Sequence, residues 1–412
     1  KNPIMTGFFP DPSICRVGNK FYTVHSTFAY FPGVPVFESE DLVHWNLISN
    51  VLDRDSQVPL SGCQHSQGIF APTIRYHKGT WYMITTNVSD QGNFIVTAKD
   101  PRGPWSEPYY LGESTGGIDP SLFFDDDGTC YYIGQRPRSA GYRYNGDCEI
   151  WIQTLDLDTM QLKPDATIVL TGFQRKAIWP EGPHLYKKDG YYYILHAESG
   201  TSIHHSVMIA RSKNVFGPYE YCPCNPILTH RHLGAQYPVT CVGHADLVDD
   251  GNGNWYMVVL ACRPNQGFTL LGRETFLAKV TWEDGWPVVN AGVGHLEEVV
   301  TLPYEGQPSD DVPQCKTYTF DTPSLPLELL TLRNHRDREL ELHAEEHIVR
   351  LFHRCDSLKD CGEPAYLALR QQHWNCEFET SFIPHFCKES DCAGIAMVQS
   401  NENHLRAECY PQ

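Results

Sequence analysis

The 412-residue sequence lacks an uninterrupted apolar run of about 18 residues, and it therefore offers no candidate for a membrane-spanning helix. It also lacks a stretch rich in Lys and Arg, because 32 basic residues stand against 50 acidic ones and the formal net charge is −18. This charge disfavours nucleic acid and anionic membrane surfaces as partners. Aromatic residues make up 12% of the chain and supply flat apolar surface for stacking. The composition therefore favours a neutral, polar ligand.

No Cys-x-x-Cys pair occurs among the fifteen cysteines, and their odd number leaves at least one thiol unpaired within the chain. Scattered reduced cysteines are typical of a cytoplasmic protein, and we favour that interpretation over a secreted, disulfide-linked one. The sequence begins at Lys1 without a charged and apolar leader, but a mature secreted protein would look the same. The compartment therefore stays open.

A repeat becomes visible in the turns of the chain. Five times, a polar turn with Gly or Asn precedes a short aromatic and β-branched run, which predicts five hairpins. One tyrosine marks each run, and successive markers lie 50 to 64 residues apart: Tyr22, Tyr82, Tyr132, Tyr192 and Tyr256. This period suits one four-stranded sheet per repeat, and it predicts an all-β fold with a five-bladed β-propeller. A β-sandwich with irregular loops is the alternative.

A second motif recurs about a dozen positions before each marker. Its five copies are Asp11-Pro12-Ser13, Ala71-Pro72-Thr73, Asp119-Pro120-Ser121, Glu181-Gly182-Pro183 and His244-Ala245-Asp246. In equivalent blades, these copies would begin the inner strands and face a common axis. Gathered carboxylates repel each other and are costly to desolvate, so three of them in register indicate a functional site. The alternative is that each acidic residue caps a turn of its own blade.

Paired carboxyl groups are the usual machinery of glycoside hydrolysis. One group must hold a proton for the leaving oxygen, whereas the other must be ionised to activate water or to attack the sugar. A third carboxylate nearby would raise the pKa of the acid by repulsion. Separate blades would place the groups far apart, which favours an inverting mechanism over a retaining one.

Residues 2–296 closely resemble glycoside hydrolase family 43, the five-bladed propeller β-xylosidases and α-L-arabinofuranosidases. The motifs that carry the resemblance occur in family order: GFFPDPSICRVGNKFY from Gly7, STFAYFPGVPVFESEDLVHW from Ser26, GIFAPTIRYHKGTWYMI from Gly68, GIDPSLFFDDDG from Gly117, PEGPHLYKKDGYYY from Pro180, GHADLV from Gly243 and GRETFL from Gly272. The resemblance implies that Asp11 is the general base, that Asp119 raises the pKa of the acid and orients it, and that Glu181 is the general acid.

Further site residues follow from the same resemblance. Arg273 would bind sugar hydroxyls beside the carboxylates, although a pairing with Glu274 is the alternative. Phe31 and Phe70 would wall the pocket of the terminal sugar, with core packing as the alternative. No cofactor is required, but in several relatives the histidine at the position of His244 binds Ca²⁺ largely through waters. A histidine hydrogen-bonded to the acid network is the alternative to this metal site, because one imidazole is a poor Ca²⁺ ligand set.

We predict three segments along the chain. Residues 1–301 form the propeller, and residues 302–314 form a linker rich in proline and acidic residues. Residues 315–412 alternate as β-strands do and resemble the first part of the jelly-roll-like β-sandwich that follows the propeller in these xylosidases. That sandwich is roughly twice as long in relatives, so we expect the domain to be incomplete here. It is also the expected surface for a homo-oligomer, since an open sheet edge promotes association.

The resemblance implies an exo-acting, inverting glycoside hydrolase that releases terminal β-D-xylose, α-L-arabinofuranose or both from xylo-oligosaccharides or arabinoxylan. Three alternatives stay open: an α-L-arabinofuranosidase only, an endo-arabinanase, and a non-catalytic propeller that binds glycans. The expected partner is a small oligosaccharide substrate, without nucleic acid or membrane.

Overall fold

The computed structural model describes residues 1–112, 116–304, 315–333 and 340–411, and the regular secondary structure of these ranges is almost entirely β-strand. Their helical content is a single 3₁₀ turn at Phe173–Arg175. No helix in the described part of the chain is long and apolar enough to cross a membrane. All fifteen cysteines are free thiols there.

Five antiparallel sheets follow one another along the chain, each with its strands in sequence order from the inside outwards. The first sheet consists of β1 (Ser13–Val17), β2 (Lys20–Val24), β4 (Gly33–Ser39) and β5 (Asn46–Leu52), with the short β3 (Tyr30–Phe31) in a connection. The second consists of β6 (Ile69–His77), β7 (Thr80–Asn87), β8 (Gly92–Ala98) and β9 (Tyr109–Tyr110). The third consists of β10 (Ile118–Phe124), β11 (Cys130–Pro137) and β12 (Cys148–Asp156), with both β13 (Gln161–Leu162) and β14 (Thr167–Thr171) paired to β12.

The last two sheets repeat the four-stranded pattern. The fourth consists of β15 (Glu181–Lys188), β16 (Tyr191–Glu198), β17 (Ser206–Ser212) and β18 (Glu220–Tyr221). The fifth consists of β19 (Thr240–Asp249), β20 (Trp255–Cys262), β21 (Glu274–Glu283) and β22 (Trp286–Val289).

The predicted hairpins join the first and second strands of every sheet, and the five marker tyrosines lie on the second strands. Two of the turns show the backbone conformation that these residues adopt. Lys78 and Gly79 have φ angles of 46° and 81°, and Asp189 and Gly190 have φ angles of 49° and 74°. Two successive left-handed residues produce the backbone twist that closes a tight hairpin, and Gly and Asp tolerate them at low cost.

The innermost strands of the five sheets contact one another in the order β1, β6, β10, β15, β19, and β19 contacts β1 again. The N-terminal segment strengthens this closure. The Asn2 side chain exchanges hydrogen bonds of 2.8 Å with the backbone of Leu277, and Met5 forms a β-bridge with Thr275. The sheets are therefore the blades of a closed five-bladed β-propeller, which confirms the fold predicted from the repeat.

A buried network around Asp246 joins four blades at the propeller axis. Asp246 is 0% exposed and accepts hydrogen bonds from Ser13 Oγ at 2.8 Å, from Ile14 N at 3.0 Å and from Arg75 Nη1 at 3.0 Å. The Tyr186 hydroxyl donates to its other oxygen. Burial alone would raise the pKa of Asp246, but Arg75 and these donors hold it at about 2, so the carboxylate is ionised. Asp246, the last residue in the fifth copy of the repeated motif, thus joins the fifth blade to three other blades.

The C-terminal segment packs on the propeller through a strand pairing. β23 (Thr331–Leu332) pairs with β3, and the buried Arg333 donates to the carbonyl oxygens of Cys63 at 2.9 Å and Gly362 at 2.7 Å. Two hairpins follow, built from β24 (Leu340–His343), β25 (Ile348–Leu351), β26 (Ala393–Val398) and β27 (His404–Cys409). Residues 305–314 of the predicted linker lie outside the described residues. The segment boundaries and the oligomer contact stay predictions.

The substitution Asp246→Ala should lower the free energy of unfolding by about 3–5 kcal/mol, because it leaves the Arg75 guanidinium buried without its counter-ion. Urea denaturation at neutral pH measures this change. The control is Glu220→Ala, which breaks an ion pair with Arg211 in which the glutamate side chain is 62% exposed, and it should cost below about 1 kcal/mol. An equally small loss for Asp246→Ala would contradict a structural role of the axial network.

Candidate active site

The repeated motif begins the inner strands through an irregular backbone. The register shifts between Ile118 and Ser121, and again between Glu181 and His184, as a β-bulge does. Asp11 and Asp119 both have φ of 55°, a left-handed conformation that is uncommon for residues other than glycine. Such strain persists only where surrounding contacts hold it, and it is frequent at functional sites. The register shifts therefore lie at Asp119 and Glu181, whereas Asp11 lies two residues before β1.

Asp11 lies buried beside a cation. Arg273 Nη1 donates to Asp11 Oδ1 at 3.0 Å, and the Ser26 hydroxyl donates to Asp11 Oδ2 at 2.6 Å. Burial would raise the pKa of Asp11, but the charge of Arg273, with smaller contributions from His244 and Ser26, lowers it below 3.8. Asp11 is therefore ionised at neutral pH and can accept a proton.

Glu181 and Asp119 have the opposite electrostatic character. Burial and then the negative charge of Asp11 raise the pKa of Glu181 to about 8. Burial, Glu181 and Asp11 raise the pKa of Asp119 well above 3.8, although the Gly182 amide donates to its Oδ2 at 3.1 Å. Because Asp11 affects the pKa values of both Asp119 and Glu181, and Glu181 affects the pKa of Asp119, the three carboxyl groups share one site. At neutral pH, the pair of Asp119 and Glu181 keeps at least one proton while Asp11 carries its charge.

Gly182 allows the backbone that follows Glu181 to lie close to the His244 ring. It has φ of +59°, and a Cβ atom at this position would lie 2.9 Å from the His244 ring. Any side chain here would therefore push His244 away from the acidic site and strain the backbone that follows Glu181.

Arg273 contacts Asp11 rather than Glu274. The Glu274 carboxylate is held by Arg263 at 2.7 and 2.8 Å and by the Gly7 amide at 3.1 Å. The alternative pairing of Arg273 with Glu274 is therefore wrong. Arg273 is therefore the partner of Asp11, and its binding of sugar hydroxyls stays a prediction.

An aromatic cluster lies beside Arg273, but only one of its members was predicted. The Phe8 and Phe28 rings stack with centroids 5.6 Å apart, and Phe70 packs edge-on against Phe28 at 5.2 Å. The Arg273 guanidinium lies 5.0 Å from the centre of the Phe28 ring. Phe31, by contrast, is 2% exposed within the core cluster of the first two blades, so the core-packing interpretation fits it. Phe28 stands three residues before Phe31 in the motif that begins at Ser26. Phe8 is the second residue of the motif that begins at Gly7.

His244 lies under Gly182 near the carboxylates, and burial lowers its pKa, so the ring is neutral at neutral pH. Within the described ranges, no group of three or more His, Cys, Asp or Glu side chains could hold a metal ion. The neighbouring Asp246 has its oxygens occupied by Arg75 and by other donors. The oxygen-rich ligand set that Ca²⁺ prefers is therefore not supplied by side chains around His244, and a water-mediated calcium site there stays a prediction.

Two carboxyl groups with pKa values driven apart can act as base and acid on one bond. An ionised Asp11 and a protonated Glu181 at the axis of a propeller are the arrangement that cleavage of a glycosidic bond needs. The fold and the site therefore define a glycoside hydrolase.

Comparisons with known proteins agree with this class. Residues 1–287 match the family model of the glycosyl hydrolases family 43, and residues 317–410 match the C-terminal concanavalin A-like domain of β-xylosidases. The chain belongs to glycosyl hydrolase family 43, and its C-terminal part is a β-sandwich of the concanavalin A-like type.

Similar proteins carry both xylosidase and arabinosidase names. A xylosidase/arabinosidase of Butyrivibrio fibrisolvens is 56% identical, with 98% of this chain and 78% of the relative covered. A non-reducing end α-L-arabinofuranosidase of Bacteroides ovatus is 40% identical over 98% of this chain and 74% of its own. The crystal structure of a xylan β-1,4-xylosidase from Bacillus halodurans superimposes with a TM-score of 0.88 at 36% identity, covering 99% of this chain and 78% of that one.

The substitution Arg273→Ala should lower kcat/KM by about 10²–10³-fold, because it removes a fixed charge from the site. It should also move the acidic limb of the pH–rate profile to higher pH, since the pKa of Asp11 rises when its cation is lost. The control is Arg231→Ala, at an exposed loop arginine, and it should change neither quantity. An acidic limb at an unchanged pH would contradict the assigned pairing.

Proposed function

We propose that the protein removes terminal β-D-xylose, α-L-arabinofuranose or both from xylo-oligosaccharides or arabinoxylan, in one step and with inversion at the anomeric carbon. The observation that carries this proposal is that Asp11 and Glu181 lie in one site with unequal surroundings: Arg273 contacts Asp11 and lowers its pKa, whereas burial and the charge of Asp11 raise the pKa of Glu181. It accords with the xylosidase and arabinofuranosidase names of the relatives.

In the proposed reaction, Glu181 donates its proton to the glycosidic oxygen while the bond from this oxygen to the anomeric carbon breaks. Asp11 removes a proton from a water molecule, whose oxygen forms the new bond to the anomeric carbon from the opposite face. The products are a free sugar of inverted configuration and a shortened chain with a new hydroxyl group. Afterwards Asp11 holds the proton and Glu181 is ionised, and exchange with solvent restores both groups.

Two neighbours support these roles. Arg273 donates to Asp11 and lowers its pKa, and we expect it also to bind hydroxyl groups of the terminal sugar. Asp119 accepts the amide hydrogen of Gly182, the residue directly after Glu181, and so orients the acid through the backbone. Burial and the charge of Asp11 raise the pKa values of both Asp119 and Glu181, and Glu181 raises the pKa of Asp119 further, so the pair keeps a proton at neutral pH.

The C-terminal domain favours exo action because it packs beside the loop that leads to Asp11. Gln372 Nε2 donates to the Thr6 carbonyl oxygen at 3.3 Å, and the Arg370 guanidinium lies 5.1 Å from the centre of the Phe9 ring. A Cβ atom on Gly7 would approach the Gln371 carbonyl oxygen to 2.6 Å, so the two segments are in close contact. The C-terminal domain, packed against residues 6–9, therefore narrows access to the active site from one side. An endo-arabinanase would need an open groove instead.

The direct test follows hydrolysis of xylobiose and of an aryl α-L-arabinofuranoside by proton NMR before mutarotation. We expect α-xylose as the first product from xylobiose, β-arabinose from the arabinoside, or both. The variants Asp11→Asn and Glu181→Gln should each lose about 10²–10⁴-fold in kcat, whereas Glu40→Gln, at an exposed carboxylate, should keep full activity.

Retention of the anomeric configuration would contradict the inverting mechanism. Internal cleavage of long arabinan, with no release from either small substrate, would favour the endo-arabinanase alternative instead.

A further inference from the structure

Two cysteines face each other in the fifth blade, at the end where Arg273 stands. Thr240 pairs with Cys262 across β19 and β20, and the register shifts directly after this pair, between Thr240 and Gly243. Cys241 lies inside this bulge with φ of 57°. A β-bulge sets two residues of one strand opposite a single residue of its partner. Cys241 is therefore turned towards Cys262, although the residue paired with Cys262 is Thr240.

The two thiol groups are in contact and differ in their access to solvent. The Cys262 thiol donates a hydrogen bond to the Cys241 sulfur. Cys262 is 4% exposed, whereas Cys241 is half-buried, so a small reagent reaches Cys241 first. The same hydrogen bond lowers the pKa of Cys241, and the thiolate is the form of cysteine that attacks a disulfide. An accessible thiol with a second thiol behind it is the arrangement of a redox-active pair.

The buried member of the pair adjoins the proposed active site. Ala261 and Glu274 are paired across β20 and β21. Cys262 follows the first of these residues and Arg273 precedes the second, so the two stand side by side, and the charge of Arg273 acts on Cys262. Arg273 in turn donates to Asp11 Oδ1 at 3.0 Å. A movement of Cys262 would therefore be passed to the cation that lowers the pKa of Asp11.

The accessible member of the pair has a fixed backbone. His205 is buried, and its Nδ1 donates to the Cys241 carbonyl oxygen at 3.1 Å. The His205 ring also packs on Gly243, where a Cβ atom would lie 2.4 Å from the ring. Because these contacts hold the bulge from the side of the fourth blade, a covalent bond between the two sulfur atoms should draw Cys262 towards Cys241 rather than the reverse.

We propose that Cys241 and Cys262 are a redox modification site, which a low-molecular-weight disulfide such as oxidised glutathione converts into a protein disulfide that slows hydrolysis. The Cys241 sulfur attacks one sulfur of the reagent, whose S–S bond breaks and releases one thiol. The Cys262 sulfur loses its proton, attacks the Cys241 sulfur and releases the second thiol. Two protein thiols are thus oxidised by two electrons, and the reagent is reduced to two thiols that take up the two protons.

Closure of the disulfide should lower activity through Arg273. The covalent bond brings the two sulfur atoms closer together than their hydrogen bond does, and Cys262 should shift together with its neighbour Arg273. A misplacement of about 1 Å in a catalytic site can cost about 10²-fold. We therefore expect closure to lower kcat/KM by at least about fivefold, and we expect dithiothreitol to restore it.

The test incubates the whole chain with oxidised glutathione and measures kcat/KM on the aryl β-D-xyloside or aryl α-L-arabinofuranoside that the reduced protein hydrolyses. Endoproteinase Asp-N cuts before Asp246, between the two cysteines, so mass spectrometry can identify the cross-linked peptides. We expect the link between Cys241 and Cys262 to accumulate as kcat/KM falls, and dithiothreitol to reverse both changes.

Three variants assign the effect to this pair. Cys241→Ser should form no link and keep its activity in oxidised glutathione. Cys262→Ser should retain glutathione on Cys241, because the second thiol that would release it is missing. The matched control is Cys224→Ser, at an exposed cysteine of the fourth blade, and it should respond as the wild type does.

A protein that forms no link between Cys241 and Cys262 in excess oxidised glutathione would overturn the proposal. A link that forms and leaves kcat/KM unchanged would overturn it too, because the pair would then be uncoupled from Arg273. An equal loss of activity in Cys241→Ser would have the same consequence, since another cysteine would be responsible.

Discussion

The ion pair between Arg75 and Asp246 at the propeller axis is the constraint on which the acidic site depends. Both groups are removed from water, and each would be costly to bury alone. Their partners lie close in sequence to the proposed catalytic groups. Ser13 follows Asp11 by two residues, and His184, whose Nδ1 lies 3.1 Å from Arg75 Nη2, follows Glu181 by three. The charge pair beneath the site therefore fixes the strands that carry base and acid.

The strand of Asp119 is tied in by a different contact. The Ser121 hydroxyl donates to the Pro183 carbonyl oxygen at 2.7 Å, which joins the third blade to the fourth two residues after each carboxyl group. With the strands fixed, the three carboxyl groups can stay together although they repel each other. One cation, Arg273, then decides which of them is ionised, because it contacts Asp11 and not Glu181. Unequal stabilisation of like groups is what separates a base from an acid.

The periodic features of this structure could be predicted from the sequence, whereas the contacts that depend on long-range packing could not. Turn chemistry and the tyrosine spacing predicted five blades, and the motif in register brought Asp11, Asp119 and Glu181 together. The partner of Arg273 could not be derived, since Glu274 stands next to it in sequence while Asp11 is 262 positions away. Phe28 and Phe31 stand in one motif, and only packing decides that Phe28 faces Arg273 while Phe31 enters the core. In the sequence, Asp246 is only the last residue of a motif. Its role in joining blades could not be predicted, because its partners lie on three other blades.

The proposed reaction requires Asp11 to be ionised and Glu181 to be protonated within one shared site. The most direct measurement is a pH titration of side-chain carboxyl groups by ¹³C NMR, with the Glu181 resonance assigned by its disappearance in Glu181→Gln. We expect Glu181 to titrate near pH 8 and Asp11→Asn to move this pKa downwards, because a nearby negative charge is removed. A Glu181 resonance that titrates near its ordinary value of 4.5, and is unaffected by Asp11→Asn, would contradict the roles proposed for these two residues.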